Sequence, residues 1–381
     1  MTFRTLAKAL VRDRPRWALF TRSVEERIEL ARHCLAEVAP ASIRPRPRRL
    51  TVAVTARCNV RCLGCRYGRD FMPGAELPYV KVREVLEDAA ATGYSTVRLY
   101  GGEPLLHPDL PRMVADCRTL GLNPYVTTNG ILLEHRIREL YEVGLRDVTI
   151  GFYGVGQDYD RYVQRSGSFR RLERSLATVR EHHGAEIDLQ MNWLLMRPTC
   201  SVESFRAARS FAERFGMRIQ IDLIQYSLPY FQEGQDRALQ FKASDRPAID
   251  HVVTEMLRAK SERPALINQS AETLRSIPDW LIEGPEMRIP CTAYDMIWIG
   301  ADGSVQLCYV TFRLGNVHVH RLRDLVGTPE HLAAARSAFS LHCPNCHCQA
   351  GDRIMRHRLS RKEYAAPFSG VRCAEPGGRS R

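Results

Sequence analysis

Cys58, Cys62 and Cys65 stand in the spacing C-x3-C-x2-C, directly after the apolar, β-branched run 50–54. A cubane of four irons needs four ligands, so three neighbouring thiolates leave one iron open to a ligand that is not protein. The competing reading is one zinc ion held by the same thiolates and a distant fourth ligand. A second set follows in the last third of the chain: Cys291, Cys308 and the knot Cys343, Cys346 and Cys348, spaced C-x2-C-x-C. Cys34, Cys117, Cys200 and Cys373 are scattered, and the default for such residues is a buried structural thiol.

The elements that must position the thiols alternate. Strands are expected at 50–54, 96–100, 124–127, 147–150, 187–195 and 218–224. Helices are expected at 79–92, 110–120, 133–143, 169–183 and 202–215. Gly93, Gly121, Gly144, Gly184 and Gly216 stop them, as αL C-caps do. Strands alternating with helices argue for a parallel sheet, and six units rather than eight give an α/β fold, a partial (β/α)6 TIM-like barrel. In such a fold chemistry gathers on the loops at the C-terminal ends of the strands. The first of these loops carries the three cysteines. The second carries Gly101, Gly102, Glu103 and Pro104, the third Thr128, Asn129 and Gly130, and the fourth Tyr153.

With those motifs in view, the chain resembles the radical S-adenosylmethionine (radical SAM) superfamily over roughly residues 50–350. The resemblance implies that Cys58, Cys62 and Cys65 hold a [4Fe-4S] cluster whose open iron chelates S-adenosyl-L-methionine. Backbone around Gly101, Gly102, Glu103 and Pro104 would bind its methionine amino group, and Thr128 and Asn129 would lie near the ribose. One position departs from the family: Gly64 stands where an aromatic usually precedes the third cysteine, and Tyr67 is the candidate for the adenine face. Residues 291–350 resemble the SPASM and twitch domains, which build auxiliary iron–sulfur clusters around a β-hairpin. Asp302-Gly303 would turn the hairpin and Gly315-Asn316 would follow it. One auxiliary cluster is implied, on Cys291, Cys308 and two of Cys343, Cys346 and Cys348; a structural zinc is the alternative. Cys200 reads either as a hydrogen donor to a substrate radical or as a buried thiol. Tyr153 reads as pocket wall or as packing. His347 reads as a ligand, a donor beside the ligands, or a solvated side chain.

Before the barrel, Ser23 and Glu26 form a capping box expected to open a helix running to Val38. A Pro- and Arg-rich linker follows at 40–49. Residues 226–290 read as a connector with one helix at 247–259. Beyond them, strands at 296–299 and 304–310, a helix at 330–339 and a turn-rich tail from Pro367 complete the chain. The domain reading is therefore 1–49 basic helical extension and linker, 50–225 barrel, 226–290 connector, 291–350 auxiliary-cluster domain and 351–381 tail.

Residues 1–49 hold 11 Arg and one Lys against five acids, +7 of a net charge of +12. Such an arm is a solvated face or a site for an anionic partner. No run of 18 apolar residues or signal-peptide pattern is present, so a cytoplasmic protein with no membrane partner is expected. Three functions compete. The first is dehydrogenation or epimerisation of a small natural-product or sugar-like metabolite, served by a flavodoxin- or ferredoxin-type electron donor. The second is modification of a ribosomally made precursor peptide. The third is a zinc-bearing nucleic-acid module, disfavoured by the lack of aromatic residues interleaved in the basic arm.

Overall fold

The computed structural model of the chain describes residues 15–225, 238–308 and 311–365. The expectations for the start of the basic arm, for 309–310, for the tail from Pro367 and for Cys373 lie outside the described residues.

Six parallel strands follow one another across a sheet: β1 Arg49–Thr55, β2 Thr96–Gly101, β3 Asn123–Thr128, β4 Asp147–Phe152, β5 Asp188–Leu195 and β6 Arg218–Leu223. Helices Tyr79–Thr92, Leu110–Thr119, Leu133–Glu142, Ser168–His183 and Val202–Arg214 connect them, as the periodicity predicts. The α/β fold with its parallel sheet, consistent with a partial barrel, is thus as expected. β7 Met296–Ile299 then pairs parallel with β1, Arg49 opposite Met296 and Val52 opposite Ile299. β8 Ser304–Leu307 and β9 Arg313–Asn316 continue antiparallel, giving one nine-stranded sheet in the order β6-β5-β4-β3-β2-β1-β7-β8-β9.

Each central strand has two unlike faces. Val97 and Leu99 of β2, Val126 of β3, Leu189, Met191 and Trp193 of β5, and Ile219 of β6 are buried. Each such side chain contributes about 1.5–3 kcal/mol by leaving water. The alternate positions Arg98, Tyr100, Tyr125, Thr127, Gln190, Asn192, Gln220 and Asp222 line a cavity instead. Parallel strands covered by helices on both faces read as continuous apolar runs; here one face keeps its polar residues because it encloses space.

Several elements differ from expectation. The first helix runs Pro15–Val38, so the hydrogen-bond ladder passes through Ser23 instead of starting there. Docking explains this: Glu29, His33 and Ala36, one helix face, are buried. Glu29 accepts from Arg46 at 2.7 Å and Arg48 at 2.9 Å. Helix Gln157–Val163 occupies the loop after β4. Among the described residues between β6 and β7 there are two α-helices, Arg246–Glu262 and Ala271–Glu283. Pro278 lies inside the second, which hides it from propensity, yet Leu274, Ile277, Trp280 and Leu281 are buried and hold it. Helices Ala350–Arg356 and Arg358–Glu363 follow the cysteine knot. Among the described residues no helix is long and apolar enough to cross a membrane.

Candidate active site

The loop leaving β1 presents Cys58 and Cys65 at its rim and Cys62 half-buried. Its backbone is pinned from outside. Leu63 N donates to Tyr162 O at 2.8 Å and Arg61 N to Val163 O at 3.1 Å. Arg69 reaches the carbonyls of Cys62 and Cys65, both at 3.0 Å, and Arg165 that of Asn59 at 2.7 Å. Gly64 has φ +74°, a left-handed conformation that a bulky side chain adopts only with strain. The turn between the second and third thiols therefore takes glycine where the family pattern has an aromatic. Tyr67 is buried two residues on. Its ring lies 6.3 Å from that of Tyr100, and its hydroxyl accepts from Ala301 N at 3.2 Å, tying the loop to the β7–β8 turn.

The second and third loops form the frame. Gly102 N donates to Thr55 O and Glu103 N to Arg57 O, both at 2.8 Å. A Cβ on Gly102 would lie 2.6 Å from Ala56 O, so glycine is what lets the end of β2 close on the cysteine loop. Glu103 is fully buried, and both its oxygens accept from protein. Oε1 takes Leu105 N at 3.0 Å and Thr128 Oγ1 at 2.7 Å, and Oε2 takes Asn129 N at 2.9 Å. Burial pushes its carboxyl up to about 7 against the pull of those three bonds. Pro104 begins the short turn Pro104–Leu106. Asn129 Nδ2 donates to Asn59 Oδ1 at 2.8 Å, and Tyr159 donates to the Asn129 carbonyl at 3.0 Å. The polar motif residues thus hold one another and the cysteine loop.

At the far side, Cys291 is buried and its sulfur accepts from Ala293 N at 3.3 Å. Cys308 adopts φ +58° at the end of β8. Cys348 donates to Cys346, so the Cys346 thiol is held below its ordinary value and the Cys348 thiol well above it. The neighbouring Cys346, Cys308 and Cys291 also raise Cys348 electrostatically, and Cys343 is raised by burial and by Cys346. His347, buried, donates from Nδ1 to Ile224 O at 3.1 Å, and burial lowers it to about 4.

One cavity of about 1530 Å³ joins the two ends: Cys65, Tyr67 and Gly101 line it near the first cysteine loop, His347 and Cys348 near the second set. Between them run the polar strand residues. Asn268 donates to Gln190 at 2.8 Å, Gln190 to Asn192 at 2.8 Å, and Asn192 to Asp222 at 2.9 Å, a one-way series ending on a carboxylate. Burial pushes Asp222 up to about 6 against the pull of Arg98. These residues were not among the sequence candidates. Their signal is polar side chains at alternate positions in strands that should be apolar throughout. Tyr153 stacks on Tyr162 at 4.2 Å, and Cys200 follows the turn Arg197–Thr199, pushed up to about 12 by burial; neither is among the cavity-lining residues.

The donor chemistry fits metal centres of the kind the spacing implies. Loss of water around the sulfurs pushes Cys58 up to about 12 and Cys62 well above its ordinary value, so a bound metal is what would draw them to thiolate. Among the described residues no three His, Cys, Asp or Glu side chains converge as ligands of a single ion do.

Residues 52–191 match the family model of the radical SAM superfamily. The chain is 30% identical over 139 residues to Fe-coproporphyrin III synthase of Methanosarcina barkeri, covering 36% of this chain and 35% of that protein. It is also 30% identical over 152 residues to GTP 3',8-cyclase of Chlorobaculum tepidum, covering 38% and 44%. The chain thus spans less than half the length of these curated relatives. Among solved structures, anSMEcpe with bound AdoMet superposes with TM-score 0.61 at 16% identity, over 84% of this chain and 92% of that one. Streptococcus suis SuiB bound to precursor peptide SuiA gives TM-score 0.60 at 16% identity, over 84% and 73%; at such identity these likenesses concern the fold alone. The cysteine motif and most of the first five strands of the parallel sheet thus fall within the stretch, residues 52–191, that matches the radical SAM superfamily.

Proposed function

We propose that the chain is a radical SAM oxidoreductase that oxidises a C–H bond of a small polar metabolite. The observation that carries this is one cavity lined by a cysteine of each set, Cys65 and Cys348, with polar strand residues between them. Cys58, Cys62 and Cys65 hold the [4Fe-4S] cluster. When bound, that cluster and S-adenosylmethionine supply a 5'-deoxyadenosyl radical, which takes hydrogen from carbon. The chain's own share is placement and exclusion of water. Glu103, Thr128 and Asn129 keep the two glycines and the cysteine loop in one arrangement. Tyr67 and Tyr100 wall the cavity beside them, and Asn192 orients Asp222 at its polar side.

Cys291 and Cys308, with Cys346 and Cys348, are the best four ligands for one auxiliary centre in a SPASM/twitch-like unit at 291–350. A centre held there, at the cavity end, would take the second electron of the oxidation from the substrate radical that hydrogen abstraction leaves, the proton leaving to solvent or a base. Cys200 outside the cavity supports dehydrogenation over epimerisation by that thiol. A flavodoxin- or ferredoxin-type protein is the proposed electron donor.

A precursor peptide is the second reading, favoured by the fold shared with SuiB bound to SuiA. The cavity volume also exceeds the roughly 300–1,000 Å³ common for small-molecule sites, leaving room for S-adenosylmethionine and part of a longer substrate.

The test is anaerobic reconstitution followed by reductive cleavage of S-adenosylmethionine. The wild type should release 5'-deoxyadenosine, and the variant with Cys58, Cys62 and Cys65 all changed to Ala should release none. Release by that variant, or iron at background in the wild type, would overturn the proposal. Stimulation of release by sugar-like amines and alcohols supports the first reading; stimulation only by peptides supports the second.

A further inference from the structure

Arg353 is 1% exposed. A guanidinium stays charged at any pH a protein survives, and a buried charge is costly unless paired. Yet among the described residues no carboxylate lies within ion-pair distance of it. Its hydrogen bonds go to neutral groups: Nε to Ile289 O at 3.0 Å, Nη1 to Cys346 O at 2.9 Å, and Nη2 to Asn345 Oδ1 at 2.8 Å. Its face lies 4.6 Å from the centre of the Trp280 ring. These partners flank the cysteines: Ile289 lies two residues before Cys291, Asn345 stands between Cys343 and Cys346, and Cys346 accepts through its own carbonyl. Asn345, which takes one arm of the fork, donates to Met287 O at 2.9 Å and to Pro285 O. The cation is therefore fixed between the segment entering Cys291 and the knot that carries the other thiols.

A buried cation with no carboxylate beside it among the described residues is balanced by negative charge held on the cysteine segments it ties together. Four thiolates around an iron–sulfur cube or a zinc ion carry net negative charge. We infer that Arg353 is the counter-ion of an anionic metal–thiolate centre at Cys291, Cys308, Cys346 and Cys348, and that it sets the centre's reduction potential. This rests on the reading of the C-terminal thiols as a metal site. A fixed positive charge nearby stabilises the more negative, reduced state, so removing it moves the potential down. Arg353 acts through the ligands and is a positioning residue.

The test uses the full chain with Cys58, Cys62 and Cys65 all changed to Ala, so that iron left after anaerobic reconstitution belongs to the C-terminal site. In that background Arg353→Met should lower the midpoint potential followed by electron paramagnetic resonance, and Arg353→Lys should stay nearer the parent. Equal potentials in parent and Arg353→Met at equal iron content overturn the inference. If Arg353→Met does not fold, Arg353→Lys and Arg353→Gln carry the comparison, since both can hydrogen-bond Ile289 and differ in charge. If the parent takes up no iron, the cluster reading fails, and the same variants are compared for zinc by chelator competition. Arg353→Met should then lose about 10- to 100-fold in affinity, as partners of metal ligands do; unchanged affinity overturns the inference.

Discussion

Glu103 offers the sharpest test of the frame that holds the first cysteine loop. Its carboxylate accepts from Leu105 N, Thr128 Oγ1 and Asn129 N, and it is fully buried. Glu103→Ala strands three donors where water has little access. Each buried group left unpaired costs about 1–3 kcal/mol, so the apoprotein should lose at least about 3 kcal/mol. The urea midpoint should fall, and S-adenosylmethionine cleavage should fall with it, because Asn129 holds Asn59 beside Cys58. Glu103→Gln keeps one oxygen and turns an NH₂ towards an existing donor, so about 1–3 kcal/mol is expected. The pH dependence has a definite sign. Burial raises the folded-state pKa from 4.5 to about 7. The folded chain therefore binds the proton more tightly than the unfolded one, and this contribution is full below about 4.5 and lost as pH rises through 7. Glutamine does not titrate, so the stability gap between wild type and Glu103→Gln should narrow from pH 5 to pH 8. A gap that widens would show that the three hydrogen bonds outweigh burial, and an unchanged urea midpoint in Glu103→Ala would refute the frame itself.

Three further outcomes are expected. Cys291→Ala or Cys308→Ala should lower iron content while the spectrum of the first cluster persists; full iron would remove these residues from the ligand set. Gly101→Ala would put a methyl into the Thr55 carbonyl at φ +147°, so reconstituted iron and S-adenosylmethionine cleavage should both drop, and a variant matching wild type in both would count against the close approach. Asp222, raised to about 6 by burial, is protonated below that pH. Substrate-stimulated 5'-deoxyadenosine release should therefore decline as pH falls below 6, and Asp222→Asn should flatten that limb; an identical limb in the variant would assign the effect elsewhere.

The sequence was legible where one periodicity governed one element. Helix Tyr79–Thr92 and strand Met296–Ile299 lie where the pattern puts them, because their apolar spacing, the stop at Gly93 and the Asp302-Gly303 turn agree with the tertiary packing. It was less legible where packing overrides a local signal. Ser23 reads as a cap, but burial of Glu29, His33 and Ala36 holds the helix on both sides of it. The stretch after 259 reads as connector, but buried Ile277 and Trp280 carry a helix through Pro278. The cavity side chains were hidden for another reason. Gln190, Asn192 and Asp222 matter through their neighbours on other strands, and register between strands is not written in any one of them.

The two cysteine sets, far apart in the chain, are held together through the sheet. β7 lies beside β1 with Arg49 opposite Met296, so the strand leading out of the Cys291 segment adjoins the strand that ends in the first cysteine loop. Tyr67 bonds across to Ala301, and Trp298 Nε1 donates to Tyr100. A side chain on the cysteine loop, one on β2 and the β7–β8 hairpin thus share one buried cluster with Met72 and Ala53. Loosening this hairpin should change both ends of the cavity at once. Tyr67→Phe tests it: losing the hydroxyl leaves Ala301 N unpaired at a cost of about 1–3 kcal/mol, while the ring contacts remain. Hydrogen exchange should speed up at residues 296–307 and at the 58–65 loop together. Faster exchange confined to one of the two would show that they move independently.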